Sequence, residues 1–293
     1  MVAVHNGPAG SVALVDPASG ALIRTVEPLG ATAQATGSYD GEYVVWKESR
    51  DPSDVDDFTV REWSAKAGRI RTVGGAHTTR GRVVASTVQD PVISGDRAAW
   101  VEGLRSDGKA EVVVLDLATG QRHIAHVGHP GWIALTPDTV LYAESAKPGA
   151  PTVIHAIALK TGRAVAPPSV LGHVRGAWGF VSDGTRWAWV AGDPERMYAA
   201  STGSAGPERL GAVPEGGGGP PVAITDGIAT VPVSAGGLMV ADTASDAWAF
   251  IPGASYAVPD GHRLLVVQEA TSKLDSGGTP IALLPASRAR LGC

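Results

Sequence analysis

With 293 residues, 44% apolar and 18% charged, the chain can bury a large core and is too apolar to be disordered throughout. A net charge of −5 leaves no electrostatic footprint for nucleic acid or an anionic membrane surface, and no apolar run approaches membrane-spanning length. The single cysteine, Cys293 at the last position, excludes an intramolecular disulfide and a cysteine zinc cluster.

The opening "MVAVHNGPAG" has no basic segment followed by a long apolar stretch, so no signal peptide is expected in the numbered chain. A start in mid-strand suits a soluble protein whose leader was trimmed, which would place it in a secreted or periplasmic setting. From there two signatures recur. The first is a β-run that ends in a polar turn with glycine: "ALVDPASG" at Gly20, "EWSAKAG" at Gly68, "VLDLATG" at Gly120, "AIALKTG" at Gly162 and "AASTG" at Gly203. By subtraction the spacings are 48, 52, 42 and 41 residues. The second is an Asp-Gly or Gly-Asp turn leading into an apolar strand, as in "SYDGEYVVW", "ISGDRAAW", "VSDGTRWAW", "ITDGIATV" and "VPDGHRLLV". Such dipeptides are hairpin turns, and the Val-rich flanks sustain no helical period.

One unit therefore reads strand a, Asp-Gly turn, strand b, variable loop, strand c, Thr-Gly turn, strand d. Dividing the chain into units of about 42 residues matches a four-stranded propeller blade. The blades fall near 2–30, 31–75, 76–129, 130–172, 173–216, 217–253 and 254–293, the first without an obvious strand a. The expected fold is all-β, a single seven-bladed β-propeller of four-stranded antiparallel blades over 1–293. The alternative is a six-bladed propeller with the N-terminal strands appended. On these residues, above all "DGEYVVWKES" followed by "VREWSAKAGRIRTV", the chain resembles the TolB-like and WD-repeat-like β-propellers. That resemblance implies the fold; propellers of this kind serve as scaffolds, ligand binders, lyases and peptidase lids. The Trp-Asp dipeptide that names the WD repeats is absent at the strand ends.

The stretch "VLDLATGQRHIAHVGHPGW" places His123, His126 and His129 three apart. On an alternating strand, residues three apart point to opposite faces, so His123 and His126 are expected to diverge and not to share an ion. His129 lies beyond the strand, and "VGH" there is matched by "LGH" at His173 and more loosely by "GGAH" at His77. These residues sit in connections that emerge on the same face as the b-to-c loops; they either close the outer strand or line a mouth.

Strand b adds a second recurring feature. "WKE", "WVE" and "YAE" put Glu48, Glu102 and Glu144 two residues after Trp46, Trp100 and Tyr142, on the same face and nearer the loops. The aromatics, with Trp189, are expected to fill the gaps between neighbouring sheets. The glutamates are solvated strand ends, or they join His77, His129 and His173 at a mouth able to hold a divalent cation or an acid–base pair. In the second arrangement His129 pairs with Glu102. The pattern breaks at Ala191 and Val233, which confines any cluster to one side.

Other features carry less. Asp51, Asp54, Asp56 and Asp57 form an acidic loop without EF-hand spacing, and "EGGGGPP" lacks the Lys-Ser/Thr ending of a P-loop. Pro167 and Pro168 are placed in an outermost strand, where a missing N–H is tolerated. No Gly-x-Ser-x-Gly elbow appears at a suitable position. The leading functional expectation is a non-catalytic propeller that binds a protein or small ligand at its loop-bearing face, through Glu48, Glu102, Glu144, His77, His129 and His173, without a cofactor. The competing one is a metal-assisted lyase or hydrolase that uses a divalent metal ion at the same mouth.

Overall fold

The computed structural model describes residues 2–6, 11–15, 22–28, 34–39, 42–49, 58–75, 89, 91–102, 109–147, 150–177, 179–192, 196–204, 206, 208–212, 223–233, 237–243, 247–254, 256–260, 263–268 and 279–285. Within them the chain is almost entirely strand, arranged in consecutive antiparallel sheets. The first holds β1 (Val2–Asn6), β2 (Ser11–Val15) and β3 (Leu22–Pro28). The second holds β4 (Gln34–Tyr39), β5 (Tyr43–Ser49), β6 (Phe58–Ser64) and β7 (Ile70–Gly75). The third holds β8 (Val92–Ser94), β9 (Arg97–Glu102), β10 (Ala110–Asp116) and β11 (Arg122–Gly128).

The fourth sheet follows with β12 (Pro130–Leu135), β13 (Thr139–Ser145), β14 (Thr152–Ala158) and β15 (Arg163–Val165). The fifth comprises β16 (Phe180–Ser182), β17 (Arg186–Ala191), β18 (Arg196–Ser201) and β19 (Glu208–Ala212). The sixth comprises β20 (Ala223–Thr225), β21 (Ile228–Val233), β22 (Gly237–Asp242) and β23 (Ala247–Pro252). The last has β24 (Tyr256–Asp260), β25 (Arg263–Gln268) and β26 (Thr279–Pro285). Every sheet is a simple meander in chain order, and each falls within one of the intervals expected from the repeat. Among the described residues the first has three strands, in keeping with the missing strand a expected there.

The chain divides into two compact units, Met1–Lys147 with Ile157–Ala164 and Ala270–Gly278, and Pro148–Ala156 with Val165–Glu269 and Thr279–Cys293. The division falls within the fourth sheet. In the first unit, apolar clusters join consecutive sheets. Val12, Leu14 and Val26 meet Val44, Trp46 and Trp63; Val45, Phe58 and Val60 meet Ala98, Trp100, Val113 and Leu115. Val101, Val112 and Val114 meet Ile133, Val140 and Tyr142. Val44 and Trp46 thus face one way and Val45 the other, so a strand alternates between two buried faces and reads as a continuous apolar run. The second unit repeats the scheme with Ala188, Val190 and Met197 against Ile224, Val231 and Met239, and with Leu238 and Val240 against Leu264 and Val266.

The turns carry the chemistry their sequences announce. At Thr225–Ile228, Asp226 and Gly227 both take positive φ, 46° and 80°, the tight turn whose twist matches the flanking strands. At the "DLATG" turn, Asp116 Oδ1 accepts from the Thr119 N–H and from its hydroxyl, both at 2.7 Å. These bonds hold the Asp116 carboxyl below the ordinary carboxylate range.

Two local expectations are corrected. Pro167 and Pro168 do not lie in an outer strand. β15 ends at Val165, and Pro168 caps a single helical turn, α1 (Ser169–Gly172), whose first N–H groups need no strand partner. The divergence of His123 and His126 also fails. The ladder between β10 and β11 slips between Val112 and Val113, so His123 pairs with Val114 and His126 with Val112. Val112 and Val114 share a face, and a β-bulge therefore brings both imidazoles to the same side.

Candidate functional site

In the second, third and fourth sheets the b strand carries near its end a carboxylate two residues beyond its aromatic. Trp46, Trp100 and Tyr142 are all buried, as is Trp189 in the second unit. In each of the first three cases the aromatic packs toward the preceding sheet, so the carboxylate that shares its face points there too. Each carboxylate then meets a different set of donors.

Glu48, half-buried on β5, accepts from Trp46 Nε1 at 3.3 Å and pairs with Arg61 Nε at 2.8 Å. Arg61 stands opposite Trp46 on β6, which puts its guanidinium on the carboxylate's face. Glu102 on β9 is only 1% exposed. Trp100 Nε1 donates to its Oε2 at 2.6 Å, and Arg122 Nη2 lies 3.0 Å from its Oε1. A carboxyl group at that depth needs such partners to offset its lost hydration. Gly74 on β7 makes room for it: a Cβ there would stand 2.7 Å from Glu102 Oε2 and 2.8 Å from the Trp100 ring.

Glu144 on β13 follows a tyrosine, which lacks an indole N–H, and its donors come from the preceding sheet instead. His126 Nε2 lies 2.9 Å from Glu144 Oε1, and the main-chain N–H of His129 donates to the same oxygen at 2.9 Å. An ionised carboxylate has no proton to give, so Nε2 is the donor and carries the hydrogen. The His126 ring stacks on Tyr142 with centroids 4.3 Å apart. Burial, reinforced by the Glu144 charge, pushes the Tyr142 phenol above its usual value and keeps the hydroxyl protonated. A Cβ on Gly128 would collide with both Glu144 Oε1 and His126 Nε2. Val127-Gly128 thus repeats Val73-Gly74, the same device one sheet earlier.

The residues singled out from the sequence are therefore partly brought together. Glu144 meets the main chain of His129, whose imidazole is exposed. Glu48 and Glu102 are held by Arg61 and Arg122 within their own sheets. His173, exposed, is the C-cap of α1, so "LGH" resembles "VGH" in letters and not in conformation. His77, the acidic loop at 51–57 and the segment 215–221 lie outside the described residues. Among the described residues, no group of three or more His, Cys, Asp or Glu side chains is placed to hold a metal ion. His123, exposed on the outer strand, is held below the ordinary imidazole value by partial burial and by the Arg97 charge.

The residue that sequence reasoning missed is His126. Strict alternation sets it on the face opposite His123, and the bulge brings both to one side. A comparison of "RTVGG" with "IAHVGH" carries the only signal, since both strands end in the Val-Gly pair that lets a neighbouring carboxylate approach. At the opposite end of the sheets a second polar device appears. Arg71 pairs with the buried Glu62 at 2.7 Å and donates to the Leu117 carbonyl at 3.1 Å. Arg186 donates to the Thr243 carbonyl at 2.8 Å and also to its hydroxyl. In both cases an arginine from one sheet clasps the c-to-d turn of the next.

No protein-family model matches this sequence, and neither does any curated protein. Solved structures do match. TolB from Acinetobacter baumannii superimposes with a TM-score of 0.51 at 12% identity over 91% of this chain, which spans 59% of the TolB chain. The β-propeller domain of the Trilobed protease from Pyrococcus furiosus matches over 86% of this chain and 96% of its own, at 12% identity and a TM-score of 0.50. An oligogalacturonate lyase in complex with manganese matches over 93% of this chain and 94% of its own, at 11% identity and a TM-score of 0.51. At such identities the likeness concerns the fold alone. By fold, then, this chain is a β-propeller.

Proposed function

We propose that this protein is a non-catalytic β-propeller that binds a protein or small-molecule ligand at its loop-bearing face. The observation that carries the reading is the state of Glu102, the central carboxylate of the row. It is buried to 1% exposure and engaged by Trp100 and Arg122 of its own sheet, an arrangement suited to holding the sheet together and poorly suited to meeting a substrate. Glu48 and Glu144 are likewise committed to Arg61 and to His126 with the His129 N–H. No helix among the described residues is long and apolar enough to cross a membrane. Binding without chemistry needs only a shaped face on a rigid propeller, and loops supply that readily.

The alternative, a metal-assisted lyase or hydrolase, draws on one specific observation. Glu144 orients His126 through Nε2, a carboxylate–imidazole pair of the kind that serves as a general base or holds a metal ligand in place. The two readings separate in one experiment: elemental analysis of the purified protein, with a calorimetric titration of Mn²⁺ into wild type and Glu144→Gln. The binding reading expects no stoichiometric ion and identical, weak titrations. One ion per chain, lost in Glu144→Gln, would overturn it in favour of the enzyme.

A further inference from the structure

Among the four-stranded sheets, the outermost strand nearly always carries charge. Arg71 lies on β7, Arg122 on β11, Arg163 on β15, and the sequence of β19 holds Glu208 and Arg209. Such charges keep an open sheet edge from pairing with another chain. β23 departs from this rule. Its sequence, "AWAFIP", has no charged residue, and it pairs only with β22 among the described residues.

Its side chains alternate cleanly. Ala247, Ala249 and Ile251 are half-buried, while Trp248, Phe250 and Pro252 are exposed on the other face. Trp248 is 59% exposed and Phe250 43%, although Phe250 lies over the backbone of Gly237 on β22. An edge that invites strand pairing is thus also faced by two open aromatics.

We propose that β23 is a homotypic docking edge, at which two copies of this chain pair antiparallel through residues 247–251. Residues directly opposite in an antiparallel ladder share a face. A register centred on Ala249 therefore sets Trp248 against the partner's Phe250, and Phe250 against the partner's Trp248. Cross-strand aromatic pairs are among the favourable ones. The charge argument points to the same occupant: a second β23 brings no charge against this uncharged strand, whereas self-pairing of β7, β11 or β15 brings arginine near arginine. The area sets the strength. The exposed fractions leave roughly 250 Å² of aromatic surface per copy, so a pair hides roughly 500 Å² of it. That is well below the roughly 1,200 Å² of a stable interface, so the dimer is weak, with a dissociation constant above about 10 µM. Each copy carries a charge of −5, and added salt, by screening that repulsion, strengthens the association.

The test is sedimentation equilibrium of the full chain from about 5 µM to about 1 mM, a range that brackets weak interfaces. Wild type is expected to pass from monomer to dimer across it. Trp248→Lys, at a position already mostly in solvent, is expected to weaken association at least tenfold with an unchanged circular dichroism spectrum. Phe250→Glu is expected to do the same. An equimolar mixture of the two variants is expected to recover a heterodimer, because the register places the introduced ammonium opposite the introduced carboxylate. A wild type that stays monomeric throughout overturns the proposal, as does a dimer that Trp248→Lys leaves intact. So does a mixture no better associated than either variant alone. If monomeric wild type instead binds an added peptide of alternating apolar residues, and Trp248→Lys abolishes that binding, the edge serves a foreign strand and the self-pairing is overturned.

Discussion

The b strands of the second to fourth sheets and those of the fifth and sixth occupy the same place in the repeat and solve it differently. In the former, Trp46, Trp100 and Tyr142 are followed two residues on by Glu48, Glu102 and Glu144, each with its own donors. In the latter, Trp189 is followed by Ala191, and Val231 by Val233, all four buried. The Trp189 ring stacks on Tyr198, and Val190, Val231, Val233 and Met197 lie in one apolar cluster. Both solutions fill the space between sheets. They differ in how they fail: an apolar contact trimmed by one group loses area, whereas a buried carboxylate deprived of a donor keeps its desolvation cost.

The largest expected effect tests what the two regions share. Trp100→Ala and Trp189→Ala should each lose about 3–5 kcal/mol in urea unfolding, from burial and the cavity left behind. A cost below about 1 kcal/mol at either site would mean that the ring does not fill the inter-sheet gap. The regions should then separate in a double-mutant cycle. Trp100→Ala and Glu102→Ala should couple by about 0.5–3 kcal/mol because they share a hydrogen bond.

Next comes the glycine that admits Glu144. Gly128→Ala should cost about 1–3 kcal/mol, since its methyl group must displace the His126–Glu144 pair. Gly131→Ala, where the nearest atom is the Ala143 carbonyl oxygen at 3.7 Å, should stay within about 0.5 kcal/mol. Equal costs at both positions, read from thermal or urea unfolding, would show that the close approach has no energetic weight.

Within the carboxylate row itself, burial should grade the effect. Arg122→Ala leaves Glu102 enclosed with Trp100 as its principal donor and should cost about 1–3 kcal/mol. Arg61→Ala uncovers Glu48, a more accessible carboxylate, and should cost less than about 1 kcal/mol. The reverse order in matched unfolding curves would break the argument from burial.

The smallest expected effect separates the row from the turns. The hydrogen bonds from Thr119 depress the Asp116 pKa in the folded state. A depressed carboxyl adds stability above its unfolded value near pH 4, and that stability is lost as pH falls through the lower folded value. The deficit of Asp116→Asn should therefore be a few tenths of a kcal/mol at neutral pH, after allowance for the solvent around the turn. It should vanish in acid. A deficit independent of pH would assign the turn's stability to geometry and not to charge.

Much of this molecule was legible in its sequence because the information is local and repeated. An Asp-Gly or Thr-Gly turn needs only its own backbone to adopt positive φ, and recurrence at blade-length spacing exposes the strands between. The buried aromatics were legible for the same reason, since strands with two buried faces read as apolar runs. What the glutamates do was not legible. "WKE", "WVE" and "YAE" look alike in sequence, yet their donors come from Arg61 thirteen residues away, from Arg122 two strands over, and from His126 in the neighbouring sheet. Nor could alternation alone place His126, because one extra residue in β11 inverts the face of everything beyond it. Sequence by itself determined the strands, the turns and the repeat, all products of short-range sterics and periodicity. Tertiary structure decided which charge meets which donor, because a side chain's partner depends on a register and a packing distance that no local pattern encodes.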